Sequence, residues 1–330
     1  MRELMADRSL SPVLIGSLLI GLPLLLLVIW TTDWSQAWDI LRTYEAVYLL
    51  WFAGFAVANL ACYTLVWAWF LALEGERLSW TRMWNYRMAG GAVSYVTPGP
   101  RIGGELTRAD LFSEHGSWRV GLSTSVGEKV VLFLSGVVFD TVVVLSVISG
   151  VLAALYNGTV LITALSVVAL IGAGVIVARS VSEQGVLRRL VNVVVPESIG
   201  EQVGNVKEDL WRYVTSYPWI VGLAVVFGIG SKMLIAAQFY ALVLGAGFHV
   251  SFWEACVLAA ALDIAYSIPS YMGLGSLEGG QALATSLVGL SSSVGVIIAV
   301  LARVRDLIMS GYGILFLIWR GGVNALFEQF

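Results

Sequence analysis

The chain has 330 residues, of which 58% are hydrophobic and 12% are charged. Soluble domains contain about 45–50% hydrophobic and about 25% charged residues, so the composition excludes a water-soluble globule. The net charge of −3 provides no basic field for binding nucleic acid. Cys62 and Cys256 lie inside apolar runs, and His115 and His249 are isolated. The sequence therefore predicts no disulfide framework, no metal site and no cofactor.

Long apolar runs predict an all-α polytopic membrane protein with six spanning helices. A bilayer crossing takes about 20 apolar residues. The runs cover residues 12–30, 47–73, 120–156, 160–178, 219–244 and 294–319. The first run is too long for the apolar core of a secretory signal, so we expect it to be a retained span. We expect the protein to lie in the cell membrane.

Two further apolar stretches are interrupted near their middles. Residues 84–112 are broken at Thr97-Pro98-Gly99-Pro100 and Gly103-Gly104, and residues 252–290 are broken at Pro269 and Gly273-Leu274-Gly275. Proline removes a helical donor and clashes with the preceding turn. Unpaired backbone groups at a break cannot face lipid, so each break must line an enclosed or watery cavity. We predict two re-entrant hairpins, at about 80–116 and about 252–291.

The distribution of Lys and Arg predicts the orientation. With the N-terminus inside, 14 of the 19 basic residues fall on the cytoplasmic side, as the positive-inside rule expects. Both termini are then cytoplasmic, and the two hairpins enter from opposite faces. This inverted-repeat arrangement is typical of membrane carriers. We predict one transmembrane domain over 1–330, with halves 1–178 and 218–330 joined by an amphipathic connector, 179–217, on the lipid headgroups.

The first break contains a motif that suits phosphate binding. If a half-helix begins near Arg101, then Arg101, Glu105 and Arg108 share one helical face. Charges of this kind are costly in lipid and must face a polar cavity. The amides of Gly103 and Gly104 would add the partial positive charge of a helix N-terminus. The alternative is an ordinary cytoplasmic loop in which the arginines are solvated.

The second break repeats the pattern of a proline, paired glycines and one carboxylate. Gly273 and Gly275 precede Glu278 at the start of a half-helix. Glu278 could receive a cationic group or a proton, or it could cap the helix amides. The sequence leaves these alternatives open.

The last span carries Arg303, Arg305 and Asp306. Arg303 and Asp306 are three residues apart and could neutralise each other, which leaves Arg305 without a local partner. An intramembrane arginine of this kind indicates a functional site.

Four more charged residues lie within apolar stretches. Glu128 and Lys129 are adjacent at the start of the third span and so face different directions, while Asp140 lies deeper in that span. Asp263 is expected to be paired within the protein.

The motifs at 100–108 (Pro-Arg-x-Gly-Gly-Glu-x-x-Arg) and 273–278 (Gly-Leu-Gly-x-x-Glu), with Glu128-Lys129 and Arg303, resemble a known family. This is the flippase-like family typified by the transmembrane domain of bacterial lysylphosphatidylglycerol synthases. The chain has Glu128-Lys129 where the family usually shows Glu-Arg, which keeps the charge but loses the planar fork.

The resemblance implies translocation of anionic or polyprenyl-phosphate-linked lipids between leaflets, with membrane lipids as the partners. The synthase domain would follow the last span, and the chain stops at Phe330, so we expect no enzyme activity and no catalytic residue. A small-anion carrier and an intramembrane lipid-phosphate enzyme are the alternatives, and homo-oligomer formation is left open. The predicted substrate-binding residues are Arg101, Gly103, Gly104, Glu105, Arg108, Glu128, Lys129, Gly273, Gly275, Glu278, Arg303, Arg305 and Asp306.

Overall fold

The computed structural model describes residues 12–96, 103–156, 201–268 and 270–320. The predicted span at 160–178, most of the connector, Arg101 and both termini lie outside the described residues. Eleven α-helices and one short 3-10 helix, with no strand, make up the secondary structure of the described part. The predicted all-α class is confirmed.

The helices are numbered here in chain order. They are α1 Pro12–Thr31, α2 Trp34–Thr43, α3 Val47–Leu73, α4 Trp80–Val96, α5 Gly103–Phe112, α6 Trp118–Tyr156, α7 Glu201–Ser216, α8 Pro218–Gly245, α9 Phe252–Ser267, the 3-10 helix Tyr271–Gly273, α10 Ser276–Leu287 and α11 Ser292–Trp319.

Three described helices are long and apolar enough to cross a bilayer, namely α3, α8 and the Trp118–Gly150 part of α6. A fourth crossing results if Leu19–Thr31 and α2, which meet at 81°, form one bent span. Helix α11 has 28 residues but includes three charged side chains. Helix α6 has 39 residues and is about 58 Å long at 1.5 Å per residue, so it must project beyond a hydrocarbon core of about 30 Å.

Helix α2 was not predicted from the apolar runs. Asp33 caps its N-terminus and accepts hydrogen bonds from the amides of Ser35 and Gln36 at 3.0 and 3.2 Å. Ala37 and Ile40 are buried on one face. Asp at an N-cap position was the available signal, because it satisfies otherwise unpaired amides.

Helix α7, which lies in the predicted connector, packs its apolar residues against other helices of the protein. Its apolar residues Val206, Leu210 and Tyr213 are each at most 3% exposed and join a core with α3 and α6. Arg119 on α6 binds Asp209 of α7 through two hydrogen bonds, of 2.9 and 3.0 Å. The rest of the predicted connector lies outside the described residues, and its position on the lipid headgroups stays a prediction.

Both predicted interruptions fall between separate described helices, although Thr97-Pro98-Gly99-Pro100 lies outside the described residues. Helix α4 ends at Val96 and α5 begins at Gly103, while α9 ends at Ser267 and α10 begins at Ser276. The second turn is sharp because Met272, Gly273 and Gly275 adopt φ angles of 53°, 72° and 73°. Glycine suits this left-handed region because it lacks a Cβ atom.

The two broken hairpins are joined by α11, which packs against α4 of the first and α10 of the second. Helices α3, α6 and α8 pack together beside them, and α8 also contacts α9. The interior of the second hairpin is an apolar core that includes Leu258, Leu277 and Ile298, each at most 1% exposed. Helix α11 therefore positions residues of both breaks.

Gly313 sets the distance between α11 and α4. A Cβ atom at this position would overlap the carbonyl oxygen of Met88 and lie 2.8 Å from the Cβ of Ala92. We expect Gly313→Ala to destabilise the protein by about 1–3 kcal/mol, the usual cost of overpacking. Gly311→Ala is the matched control, because a Cβ there would meet no described atom within 4 Å. Thermal unfolding in detergent measures both, and equal midpoints would contradict this account of the contact.

Candidate functional site

Glu128 on α6 is the centre of a buried charged cluster and is 1% exposed. Its Oε2 accepts a 2.5 Å hydrogen bond from Nη1 of Arg108 on α5. Its Oε1 lies 2.8 Å from Nη2 of Arg87 on α4. A buried carboxylate needs such partners because an unpaired buried charge is strongly destabilising. Glu128 therefore holds one guanidinium group from each limb of the first hairpin.

Glu105 and Lys129 complete this group. Nζ of Lys129 donates to Oε2 of Glu105 at 2.8 Å, and Nη2 of Arg108 lies 3.7 Å from Oε1 of Glu105. We call Arg87, Glu105, Arg108, Glu128 and Lys129 the first cluster. Three cations and two carboxylates give it a net charge of +1 when all are ionised.

Trp67 on α3 supports both guanidinium groups of the first cluster. Its ring centroid lies 4.9 Å from Cζ of Arg108 and 6.0 Å from Cζ of Arg87, within the range of cation–π attraction. Its Nε1 donates to Oγ1 of Thr124 at 3.2 Å, which fixes the ring. Arg87 also donates from Nη2 to the carbonyl oxygen of Tyr63 at 2.8 Å. The two arginines are thus held in defined positions.

Gly103 and Gly104 begin α5 and bring it close to α4. The amide of Gly104 donates to Oγ of Ser94 at 3.0 Å. A Cβ atom on Gly104 would lie 2.5 Å from the carbonyl oxygen of Gly90, so the close approach requires glycine. The amide predicted to face a substrate is therefore engaged within the protein.

Arg303 on α11 holds the second break. Its Nε donates to Oε1 of Glu278 at 2.9 Å, and its Nη1 and Nη2 donate to the carbonyl oxygens of Met272 and Gly273, each at 3.1 Å. Oε2 of Glu278 accepts a 2.9 Å hydrogen bond from the amide of Gly275. Of the open alternatives, Glu278 therefore fulfils two: it caps its helix and it binds a cation, which is Arg303.

Arg305 and Asp306 form a separate pair beside the first cluster. Arg305 donates from Nε to Oδ1 of Asp306 at 2.9 Å and from Nη1 to Oε1 of Gln238 at 2.5 Å. Asp306 also accepts a hydrogen bond from the hydroxyl group of Tyr266. The prediction that Arg305 has no local partner is wrong, because Arg305 pairs with Asp306. The possible pair of Arg303 with Asp306 does not form, because Arg303 turns to the second break.

A cavity of about 350 Å³, which we call the charged cavity, lies between α3, α4, α5 and α11. Arg87, Glu105 and Arg108 of the first cluster line one side, and Arg305 and Asp306 line the other. The polar residues completing the wall include Tyr63, Ser94, Tyr95, Tyr266 and Ser310. Buried guanidinium groups thus border an internal space within a chain that is mostly apolar.

The structure brings only some of the predicted residues to the charged cavity. Those lining it are Gly104, Glu105, Arg108, Arg305 and Asp306. Glu128 and Lys129 support this group from α6, while Gly273, Gly275, Glu278 and Arg303 form the second break. Arg101 lies outside the described residues.

Arg87 was missed by the sequence reasoning. It was counted only as one of the cytoplasmic basic residues, although it lies in the middle of a helix that leads into the Pro-Gly break. Its side chain is 11% exposed. A cation at that place in a re-entrant helix has little access to bulk water, and this position was the signal that could have found it.

A second cavity, of about 740 Å³, is lined mainly by aliphatic and small side chains. We call it the apolar cavity. It lies between α1, α6, α9 and α10. Ile264 and Ala265 of α9 face the apolar cavity, whereas Tyr266 faces the charged cavity. Helix α9 therefore separates an apolar space from a charged one.

Long apolar helices with buried ion pairs around an internal cavity define a multi-pass helical membrane protein. The family model described as the lysylphosphatidylglycerol synthase TM region matches residues 13–311. The chain belongs to this family, which indicates a membrane function related to lipids. No curated protein and no solved structure matches the chain.

Proposed function

We propose that the protein is a flippase or scramblase for an anionic phospholipid or a polyprenyl-phosphate-linked lipid. The observation that supports this proposal is the charged cavity. Arg87 and Arg108 line it, and the first cluster, to which both belong, has a net charge of +1. Guanidinium groups bind phosphate oxygens with paired hydrogen bonds. A phosphodiester headgroup with one negative charge would neutralise the first cluster.

Glu128 makes the arginines suitable for transient binding. It bonds to both guanidinium groups, so they stay in position when the cavity is empty. It also reduces the net positive charge that a phosphate meets. A lipid carrier must release its substrate, and a site with several uncompensated arginines would hold phosphate too firmly. The paired carboxylates therefore favour translocation over permanent lipid binding.

The apolar cavity favours a lipid over the small soluble anion of the alternative carrier. Hydrocarbon chains need an apolar surface, and this cavity is about twice the volume of the charged one. A phosphate or carboxylate ion has no hydrocarbon chain to place in the apolar cavity. We therefore propose that the headgroup enters the charged cavity, and that acyl or prenyl chains remain in lipid or in the apolar cavity.

The pairing of the carboxylates with cations also supports transport without covalent chemistry. The enzyme alternative requires Glu105 or Glu278 as acid or base, but Glu105 is paired with Lys129 and Glu278 with Arg303. Both carboxylates are thus engaged in ion pairs within the protein. We propose no catalytic residue, no cofactor and membrane lipids as the partners.

We propose the finer topology on the sequence features given above. It has six spans, cytoplasmic termini and two halves, 1–178 and 218–330, related by inversion in the cell membrane. The charge bias and the two broken hairpins on either side of α11 support this arrangement. The connector between the halves would then lie on the cytoplasmic side.

Reconstitution in liposomes tests the proposed function. Protein-containing and empty vesicles would carry a trace of fluorescent phosphatidylglycerol or phosphatidylcholine, and a reductant added outside would bleach only the outer leaflet. We expect the protein to accelerate loss of the inner-leaflet phosphatidylglycerol signal more than that of phosphatidylcholine. Uptake of radiolabelled phosphate by the same vesicles, without lipid movement, would favour the soluble-anion carrier and contradict the proposal.

A further inference from the structure

A second group of intramembrane charges lies apart from the first cluster. Lys232, near the middle of α8, donates from Nζ to Oδ2 of Asp263 on α9 at 2.6 Å. The two side chains are 11% and 25% exposed. Asp263 is thus paired within the protein, as predicted. Asp140 on α6 is the third member, because it lies one helical turn from Gly136, against which Lys232 packs.

The backbone of α6 brings Lys232 close to Asp140. A Cβ atom at Gly136 would lie 3.2 Å from Nζ of Lys232, so the ammonium group rests against α6 where that helix has no side chain. Gly136 and Asp140 are four residues apart and share one face of the helix. Oδ1 of Asp140 is buried and has no hydrogen-bond partner among the described residues.

The charges of this group do not balance. Two carboxylates and one ammonium group give a net charge of −1 when all are ionised. Neighbouring carboxylates in a poorly solvated site disfavour joint ionisation, and one bound proton would neutralise the group. Acidic residues inside membranes mark proton pathways in pumps and transporters. The buried Oδ1 of Asp140, which lacks a donor, is the atom best placed to take the proton.

We infer that Asp140, together with Lys232 and Asp263, forms a proton-binding site that couples proton movement to lipid movement. The coupling rests on the proposed function; the proton site stands on its own geometry. A proton from water on one side of the membrane would convert the Asp140 carboxylate to a carboxyl group. The proton would then leave Asp140 for water on the other side of the membrane. The O–H bond of the carboxyl group is the one bond that forms and breaks.

Helix α3 links this site to the charged cavity. Asn59 of α3 donates from Nδ2 to the carbonyl oxygen of Ser231, next to Lys232, at 2.9 Å, and one turn further along α3 Tyr63 lines the charged cavity. Its carbonyl oxygen accepts the hydrogen bond from Arg87. Among the described residues, the ionisable groups around Asp140 are Lys232 from α8 and Asp263 from α9, with Tyr63 of α3 beyond Lys232. Neutralising Asp140 would strengthen the Lys232–Asp263 pair. This pair lies next to α3, whose Tyr63 carbonyl oxygen accepts the hydrogen bond from Arg87.

Infrared difference spectroscopy of the full chain in membranes tests the proton site without any lipid substrate. We expect acidification to produce the C=O stretching band of a protonated carboxyl group. Asp140→Asn should remove this band and Asp140→Glu should move it. Asp39→Asn, at an exposed position on α2, is the matched control and should leave it unchanged. If the C=O stretching band remains in Asp140→Asn, the proposed proton site is wrong.

Lipid distribution under an imposed pH gradient tests the coupling. If one proton moves per lipid, one pH unit supports up to about a tenfold accumulation of phosphatidylglycerol in one leaflet. Asp140→Asn should abolish the accumulation, and Asp39→Asn should keep it. Translocation that ignores the gradient would overturn the coupling but not the proposed function. A protein that shows the infrared band and moves no lipid would overturn the proposed function, and the coupling with it, but not the proton site.

Discussion

Replacing Arg108 by Ala is expected to slow the translocation of phosphatidylglycerol at least about tenfold, which corresponds to about 1.4 kcal/mol in the barrier. Arg108 lines the charged cavity, and its removal lowers the charge of the first cluster from +1 to zero. The phosphate then loses both a paired hydrogen-bond donor and its electrostatic attraction. Arg108→Lys keeps the charge without the planar fork, so it should retain an intermediate rate.

Two comparisons separate this effect from misfolding. Arg42→Ala removes an exposed arginine from α2, outside the charged cavity, and should leave the rate unchanged. Arg108→Ala leaves Arg87 as the one ion-pair partner of Glu128 among the described residues. Thermal unfolding shows whether this variant is still folded. A folded Arg108→Ala protein with the normal preference for phosphatidylglycerol over phosphatidylcholine would contradict the assignment of the headgroup site.

The architecture could largely be predicted from the sequence because its signals are local. Helices α3 and α8 follow from uninterrupted apolar runs, and both breaks follow from proline and glycine, which act on their own turn of backbone. Arg101, where the half-helix was predicted to begin, lies outside the described residues, and the described part of α5 starts at Gly103. Helix α2 was missed because it is short and only partly apolar, so a search for spans passes over it.

The ion pairs of Glu128 and Glu278 could not be predicted because they join residues that are distant in sequence. Glu128 lies 41 positions from Arg87, and Glu278 lies 25 positions from Arg303. The rule for helical neighbours suggested Arg303 with Asp306, since these share a face of α11. Instead, the packing of α11 places Arg303 at the second break, where the carbonyl oxygens of Met272 and Gly273 accept its hydrogen bonds.

Replacing Arg303 by Met should destabilise the protein by about 3–5 kcal/mol, the cost of breaking a buried ion pair from one side. Glu278 is 5% exposed and would remain as a buried carboxylate whose one other bond among the described residues is to the amide of Gly275. The carbonyl oxygens of Met272 and Gly273 would lose their donor as well. We therefore expect the second break to open and the midpoint of thermal unfolding in detergent to fall.

A double-mutant cycle distinguishes ion pairing from simple loss of packing. In the normal background Glu278→Gln should destabilise, because it leaves Arg303 as an unpaired buried cation. In the Arg303→Met background the same change should stabilise, because it removes an uncompensated anion while the amide oxygen of Gln can still accept from Gly275. Glu114→Gln breaks a surface pair with Arg320, in which the Glu114 side chain is 52% exposed, and should cost less than about 1 kcal/mol. Equal losses from Glu278→Gln in both backgrounds would mean that packing, not charge neutralisation, holds α11 to the second break.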